Sequence, residues 1–301
     1  MSFCGQVKNE IIECSPREGC CSAAHLYGLL LFSHTFSFSK ISVNCENETL
    51  AAHIQNALRE YGIATGTLSV KQNARGTSIR ITDRDVLDRL FFDFGYTGAE
   101  PHIKILPQNL MCGDCLPAFV AGCFITGGNI SHPAKGYHLE FSGHRARLFD
   151  GLEELLRAAG FDPRRTKRGY DSVLYFKNSG QIEDMLTFMG AVNSSLELMN
   201  TKILKDIKNT VNRRTNCETA NIDKIVDSAA RDREAITFIY QKNGTAGLPD
   251  ELKKLAALRL DQPELSLAEL GAMLNPPITK SGVSHRLRRL REAAEQLKME
   301  N

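Results

Sequence analysis

One order of predicted elements occurs twice before Gly190. Each copy begins with an apolar helix that contains a glycine, at residues 22–33 in the first copy and 114–126 in the second. Strands, a second helix ending at a glycine, a hairpin and a third helix follow in the same order. Gly28 and Gly122, at equivalent places in the two apolar helices, are 94 residues apart. A duplicated unit of mixed helix and strand therefore constrains the fold more than any other feature of the sequence.

Composition and the apolar pattern exclude two broad classes of protein. Hydrophobic residues make up 42% of the chain and charged residues 24%, which is typical of a globular chain and excludes wholesale disorder. The apolar stretch at residues 26–32, which Gly28 breaks, is far shorter than the roughly 20 residues of a membrane helix. The N-terminus has no basic segment followed by an apolar core. We therefore expect a cytoplasmic chain without a membrane partner.

Nine cysteines raise the question of a metal site. Their number is odd and their spacing irregular, and free thiols are the default in a reducing cytoplasm. Cys112 and Cys115 form a single CxxC motif, and only Cys20 and Cys21 offer the second pair that a zinc site would need. We favour buried or tolerated thiols, and we predict no metal and no cofactor.

The chain becomes helical after Gly190 and ends in a small separate module. Residues 194–240 contain few helix breakers and predict one or two long helices, followed by a linker at 242–249. In the last module, Ser266 and Glu269 have the spacing of a capping box. Residues 275–277, Asn-Pro-Pro, stop that helix, and Thr279 or Ser281 caps the next one. Two short helices joined by a turn predict a helix-turn-helix.

The second helix of this module has one apolar and one basic face. Val283, Leu287 and Leu290 are spaced i, i+4 and i+7 and predict the buried side. On the opposite side, small polar residues lie near the N-terminus of the helix and arginines lie further along it. This order suits a helix that enters the major groove of DNA by its N-terminus. The alternative is a solvated amphipathic helix. The predicted DNA-binding residues are Thr279, Lys280, Ser281, Ser284, His285, Arg286, Arg288, Arg289 and Arg291.

A second, weaker group of basic residues lies in the long helical region before the module. These residues fit contacts to DNA phosphates, which strengthen binding without reading sequence. A solvated helix face explains them equally well. The group consists of Lys202, Lys205, Lys208, Arg213 and Arg214.

The two apolar glycine helices resemble LAGLIDADG helices. The matching segments are Leu-Tyr-Gly-Leu-Leu-Leu-Phe-Ser-His at 26–34 and Val-Ala-Gly-Cys-Phe-Ile-Thr-Gly-Gly at 120–128. In that homing-endonuclease family each helix ends in an acid that holds Mg²⁺ for DNA cleavage. The resemblance puts these acids at Ser33 and Gly127, which have no carboxylate to hold a cation. It therefore implies the fold without the nuclease activity.

Nearly the whole chain resembles the WhiA family of bacterial sporulation and cell-division regulators. The match includes residues 120–133. Its most specific stretch is Asn-Thr-Val-Asn-Arg-Arg-Thr-Asn-Cys-Glu-Thr-Ala-Asn at 209–221, and residues 278–290 are similarly close. His34 departs from the glycine usual there, and Gly113-Asp114 splits a usual Cys-Cys pair. The resemblance implies an α+β fold with a tandem LAGLIDADG homing-endonuclease-like repeat followed by an all-α helix-turn-helix domain. The predicted segments are a first half at 1–111, a second half at 112–200, a helical linker at 201–245 and the helix-turn-helix domain at 246–301.

The resemblance also implies a function and partners. It implies a sequence-specific transcription regulator that binds double-stranded DNA, lies at the nucleoid and takes no small-molecule substrate. Its role would be in cell division, chromosome segregation and, in sporulating relatives, sporulation, with a WhiB-type iron–sulfur protein as partner where the organism has one. Two alternatives stay open. One is a nuclease whose acids come from elsewhere, such as Glu46, Asp93 or Asp114, and the other is a protein-interaction scaffold tethered to DNA.

Overall fold

The computed structural model describes residues 2–16, 18–73, 76–243 and 247–299. The chain divides into two compact units, Met1–Lys205 and Asp206–Asn301. Among the helices of the described ranges, none is both long and apolar enough to span a membrane.

The first unit opens with one helix and then contains the same order of elements twice. The opening helix is α1 (Phe3–Cys14). The first copy consists of α2 (Gly19–Leu31), β1 (Thr35–Ser37), β2 (Lys40–Cys45), α3 (Glu48–Glu60), β3 (Leu68–Asn73), β4 (Gly76–Ile81) and α4 (Arg84–Asp93). The second copy consists of α5 (Cys115–Gly127), β5 (Gly128–Ile130), β6 (Leu139–Gly143), α6 (Ala146–Ala158), β7 (Arg164–Arg168), β8 (Asp171–Phe176) and α7 (Ser179–Phe188).

Both copies form a four-stranded antiparallel sheet with the same strand order. The orders are β1-β2-β4-β3 and β5-β6-β8-β7, so the duplication predicted from spacing is confirmed. The single strand predicted over residues 35–44 is a hairpin instead, because the chain reverses between Ser37 and Lys40. The Ser37 hydroxyl stabilises this reversal by donating to the Lys40 carbonyl at 3.0 Å. The sequence did not predict strand β5. Residues 74 and 75, in the predicted turn between β3 and β4, lie outside the described ranges.

Helices α2 and α5 pack side by side at the centre of the first unit. A Cβ atom added to Gly28 would lie 2.2 Å from the Phe119 carbonyl oxygen, and one added to Gly122 would lie 2.2 Å from the His25 carbonyl oxygen. No side chain fits at either place, so the glycines allow the two backbones to approach closely. The helices are parallel, because contacts join their N-terminal ends and Phe32 lies beside Gly127 at their C-terminal ends.

The described residues of the second unit form helices and the turns that connect them. A long helix, α8 (Val192–Asn243), contains the boundary between the two units. It is followed by α9 (Asp250–Asp261), α10 (Leu267–Met273) and α11 (Lys280–Met299). The core of this unit consists of apolar side chains from all four helices, among them Ile236, Ile239, Leu252, Leu255, Leu270, Val283, Leu287 and Leu290. The four predicted segment boundaries stay predictions, and residues 244–246 of the predicted linker lie outside the described part of the chain.

Candidate nucleic-acid interface and predicted metal positions

Local hydrogen bonds cap the N-terminal end of each helix in the helix-turn-helix. The Ser266 hydroxyl accepts from the Glu269 amide at 3.4 Å, and the Glu269 carboxylate accepts from the Ser266 amide at 2.8 Å. Hydrogen bonds from the Ser266 hydroxyl and amide lower the pKa of the Glu269 carboxyl. Thr279, rather than Ser281, caps α11, because its hydroxyl accepts from the Gly282 amide at 3.3 Å. The capping box predicted from the sequence is present.

The turn between α10 and α11 depends on a close backbone approach. The Ile278 amide donates to the Gly271 carbonyl at 3.0 Å. A Cβ atom at Gly271 would lie 2.3 Å from the Ile278 carbonyl oxygen, so a larger residue there would force the turn away from α10. This contact sets where α11 begins relative to the core of the second unit.

The two faces of α11 match the sequence prediction. Val283, Leu287 and Leu290 are at most 2% exposed and pack in the core. Seven of the nine predicted DNA-binding residues are exposed: Thr279, Lys280, Ser281, Ser284, His285, Arg288 and Arg289. Most of them line one concave surface that extends to the start of α10. It is formed by Leu267, Lys280, Ser281, Ser284, His285, Arg288 and Arg291.

Arg286 and Arg291, also predicted as DNA contacts, are half-buried and paired with carboxylates of the second unit. The Arg286 guanidinium lies 2.8 Å from the carboxylate of Glu251 on α9. The Arg291 guanidinium lies 3.3 Å from the carboxylate of Asp232 on α8. Both ion pairs hold α11 against its neighbours, and a DNA contact by either arginine stays a prediction. Their partners are more than 30 positions away, so no local spacing indicated the pairs.

A buried ion pair lies beneath the same helix. Asp232 and Arg259 are each 1% exposed, and the Arg259 Nε lies 3.4 Å from the Asp232 carboxylate. Arg259 also donates to the Leu265 carbonyl at 2.7 Å. Burial raises the pKa of Asp232, and the neighbouring Arg291 and Arg259 oppose that shift. The sequence contains a signal for the burial of Arg259, because this residue continues the apolar spacing that begins at Leu252.

The five weaker candidates have different surroundings. The Lys202 ammonium lies 3.3 Å from the Glu183 carboxylate. The Lys205 ammonium donates to the Pro133 carbonyl at 2.6 Å and lies 5.0 Å from the centre of the Tyr137 ring. Arg214 pairs with Glu218 one helical turn away, at 2.9 Å. The remaining two, Lys208 and Arg213, are exposed.

Ser33 and Gly127, which the family resemblance puts at the metal-binding acids, lie at the C-terminal ends of α2 and α5. Ser33 is 4% exposed and donates to the Thr35 carbonyl at 3.0 Å. A Cβ atom at Gly127 would lie 3.3 Å from the Ser142 carbonyl oxygen. A cavity of about 440 Å³ at this place is lined by Ser33 and Thr126 among others.

A guanidinium group holds the carbonyl groups at the end of α2. Arg145 donates to the carbonyl oxygens of Leu31 and Ser33 at 2.7 Å each and to that of Phe36 at 3.2 Å. The C-terminal end of a helix favours a cation. Burial lowers the pKa of Arg145. Sequence reasoning missed this residue, because it lies more than 100 positions from the carbonyls that it contacts.

The three acids considered for an alternative nuclease are not brought together. Glu46 lines the cavity, and its carboxylate lies 3.8 Å from the Lys8 ammonium. Asp93 pairs with Arg89 at 3.6 Å in α4. Asp114 immediately precedes α5, at the end of that helix opposite to Gly127. Across the described ranges, no cluster of three or more potential metal ligands includes any of these carboxylates.

Four cysteines that the sequence analysis did not assign to a common site lie together in the structure. The Sγ atoms of Cys20, Cys21, Cys112 and Cys115 are all within 4.8 Å of one another. The three neighbouring thiols stabilise a thiolate on Cys112 and lower the pKa of that residue to about 7. The pKa of Cys21 is raised to about 12, mainly by its contact with Cys112. The second pair that a zinc site would need is thus in place.

Comparisons with known proteins match both units. The family described as the WhiA LAGLIDADG-like domain matches residues 34–83 and 116–208, and the WhiA C-terminal HTH domain matches residues 211–294. "Probable cell division protein WhiA" of Clostridium botulinum is 36% identical, with 99% of each chain covered. The protein of the same name from Ruminiclostridium cellulolyticum is 35% identical, over 100% of this chain and 99% of that one. The crystal structure of full-length DUF199/WhiA from Thermatoga maritima superposes with a TM-score of 0.58 and 22% identity, covering 98% and 99% of the two chains, and shares the fold.

Proposed function

The chain belongs to the WhiA family, and we propose that it is a sequence-specific DNA-binding transcription regulator of cell division whose LAGLIDADG-like repeat does not cleave DNA. The cell-division role is carried over from the names of its relatives, which match over almost their full length. Chromosome segregation, sporulation, a place at the nucleoid and a WhiB-type partner stay predictions from the family resemblance.

The observation that carries this proposal is the exposed face of α11. Ser284, His285 and Arg288 are exposed on the concave surface, while the opposite side of the helix is held in the core. Arginine can donate two hydrogen bonds to the O6 and N7 atoms of guanine, and such a contact discriminates against other bases by about 1–3 kcal/mol. The pair between Arg288 and Glu292, at 3.5 Å with both side chains exposed, is weak enough to give way to DNA.

Selection of binding sites tests sequence recognition directly. The full chain is incubated with a pool of random duplexes, and enrichment of one sequence is expected. Arg288→Ala should lower affinity for the enriched site by about 5- to 150-fold and affinity for random DNA much less. Arg286→Ala is the matched control on the same helix, because Arg286 is paired with Glu251, and it should leave the preference intact.

Two outcomes would contradict this part of the proposal. If Arg288→Ala lowered the affinity for the enriched site and for random DNA equally, Arg288 would be a phosphate contact. The exposed face of α11 would then not be the part that recognises sequence. Failure of the chain to enrich any sequence would favour the scaffold alternative.

The absence of nuclease activity rests on the C-terminal ends of α2 and α5. Two-metal cleavage needs carboxylates that hold cations against the scissile phosphate, whereas Ser33 and Gly127 offer none. Arg145 adds a positive charge at the same helix end. We expect supercoiled plasmid to stay intact with Mg²⁺ or Mn²⁺. Nicking that persists through repurification and stops with EDTA would overturn this conclusion.

A further inference from the structure

Four cysteines lie where the N-terminal ends of α2 and α5 meet. Cys20 and Cys21 are in the first turn of α2, and Cys115 is the first residue of α5, with Cys112 three positions before it. The parallel packing of the two helices brings one pair from each half of the repeat to the same point. Cys115 is buried, Cys20 and Cys21 are partly exposed and Cys112 is exposed, so a metal ion can reach the group from solvent.

The distances between the sulfur atoms are those of a tetrahedral metal site. The Sγ of Cys112 lies 3.6 Å from Cys20, 3.5 Å from Cys21 and 3.4 Å from Cys115, and the Sγ atoms of Cys21 and Cys115 are 3.9 Å apart. Zinc binds thiolates at about 2.3 Å, which separates the sulfurs of a regular tetrahedron by about 3.8 Å. Bonded sulfurs in a disulfide would be about 2.05 Å apart. The arrangement therefore fits four ligands around one ion.

From this geometry we propose that Cys20, Cys21, Cys112 and Cys115 bind one zinc ion in a closed four-thiolate site that joins the two halves of the repeat. A closed set of four protein ligands leaves no open position for substrate, so the site is structural. Soft thiolate ligands in a tetrahedral arrangement select zinc or iron over magnesium or calcium. The N-terminal ends of two helices also stabilise the negative charge of bound thiolates.

The site is distinct from the nuclease centre of the related endonucleases and independent of the proposed DNA recognition. Ser33 lies beyond Cys21 by twelve residues, which at 1.5 Å per residue puts the two ends of α2 about 18 Å apart. The metal would therefore sit at the end of the central helices opposite to Ser33 and Gly127. Its role would be to clamp the N-terminal ends of α2 and α5 together, about two helical turns before the glycine contact.

Metal analysis of the full chain tests the proposal. The protein is produced without a polyhistidine tag in medium containing zinc and purified without chelators, and one zinc ion per chain is expected. X-ray absorption at the zinc edge should show four sulfur neighbours at about 2.3 Å. Cys112→Ser and Cys21→Ser should each lose most of the zinc. Cys217→Ser is the matched control, because Cys217 is exposed on α8 and outside the cluster, and it should keep one zinc.

Three measurements on the wild-type chain can overturn the assignment, and they decide it even if the cysteine variants do not fold. Wild-type protein with much less than one zinc per chain, with iron instead, or with nitrogen and oxygen neighbours would refute it. So would a thiol titration of the denatured, chelated chain that finds four fewer than the nine cysteines, since that would mean disulfides. Chelation of the wild-type chain should lower the melting temperature of the first unit, and added zinc should restore it; no shift would refute the clamp.

Discussion

Removing the carboxylate of Asp232 should loosen the whole helical module. Asp232→Ala leaves the guanidinium of Arg259, which is 1% exposed, without its negative partner. Breaking a buried ion pair by removing one member costs about 3–5 kcal/mol, because the other charge stays buried and uncompensated. Arg291 adds less to this cost, since its side chain is 34% exposed and can turn to water. We therefore expect a loss of about 3–5 kcal/mol in the local stability of α9 and α11.

Two further variants separate this charge effect from a general effect of substitution. Glu234→Ala, two positions along the same helix, removes an exposed partner that lies 3.7 Å from Lys298, and exposed pairs contribute about 0–1 kcal/mol. The double variant Asp232→Ala with Arg259→Met removes both buried charges. Replacing a whole buried pair by apolar groups is often neutral, so the double variant should recover most of the stability lost by Asp232→Ala.

Native-state hydrogen exchange of the full chain measures these effects in the second unit alone, because exchange reports local opening. At 1.4 kcal/mol for each factor of ten, a loss of 3 kcal/mol or more speeds exchange in α9 and α11 by about 150-fold or more. Exchange in α3 and α6 of the first unit should not change. The reasoning fails if Asp232→Ala speeds exchange no more than Glu234→Ala does. It also fails if the double variant is as loose as Asp232→Ala.

Three other predictions follow from the contacts described above. Gly122→Ala would put a Cβ atom 2.2 Å from the His25 carbonyl oxygen and should destabilise the first unit by about 1–3 kcal/mol in thermal unfolding, because the helices must move apart. Burial and the neighbouring His53 lower the pKa of His25 from 6.5 to about 4, so the unfolded chain binds this proton more readily than the folded chain does. The stability that His25 contributes above pH 6.5 should be lost as the pH falls towards 4, by up to about 3 kcal/mol. Denaturant unfolding at pH 7 and at pH 4.5 measures this loss. An unchanged denaturant midpoint would contradict the prediction. Lys208→Ala should weaken binding to enriched and random DNA equally and reduce the salt slope by about 0.9. Lys205→Ala should change the slope little, because its ammonium is held by Pro133 and Tyr137. An unchanged slope for Lys208→Ala would return that residue to a solvated face.

Much of the fold was predictable because the relevant interactions are local. The capping box of Ser266 and Glu269 depends on two residues three positions apart, and the buried side of α11 depends on spacing within one helix. The duplicated order of elements was visible because the same local patterns recur in both halves. For the same reason, the exposed face of α11 could be proposed as the DNA reader before any tertiary contact was known. The hairpin at Ser37 was missed because apolar residues alternate on both sides of a very short turn.

Only the tertiary structure decided which charged and reactive side chains meet. Arg286 and Arg291 belong to the basic face by spacing, yet carboxylates on other helices engage both of them. Arg145 reaches the end of α2 from more than 100 positions away, and the cysteine pairs of the two halves are about 90 positions apart. Periodicity and capping are set within one or two turns of a helix, so a sequence reveals them directly. Contacts between distant residues depend on how whole helices pack, and here the close approach of α2 and α5 at Gly28 and Gly122 brings the four thiols together.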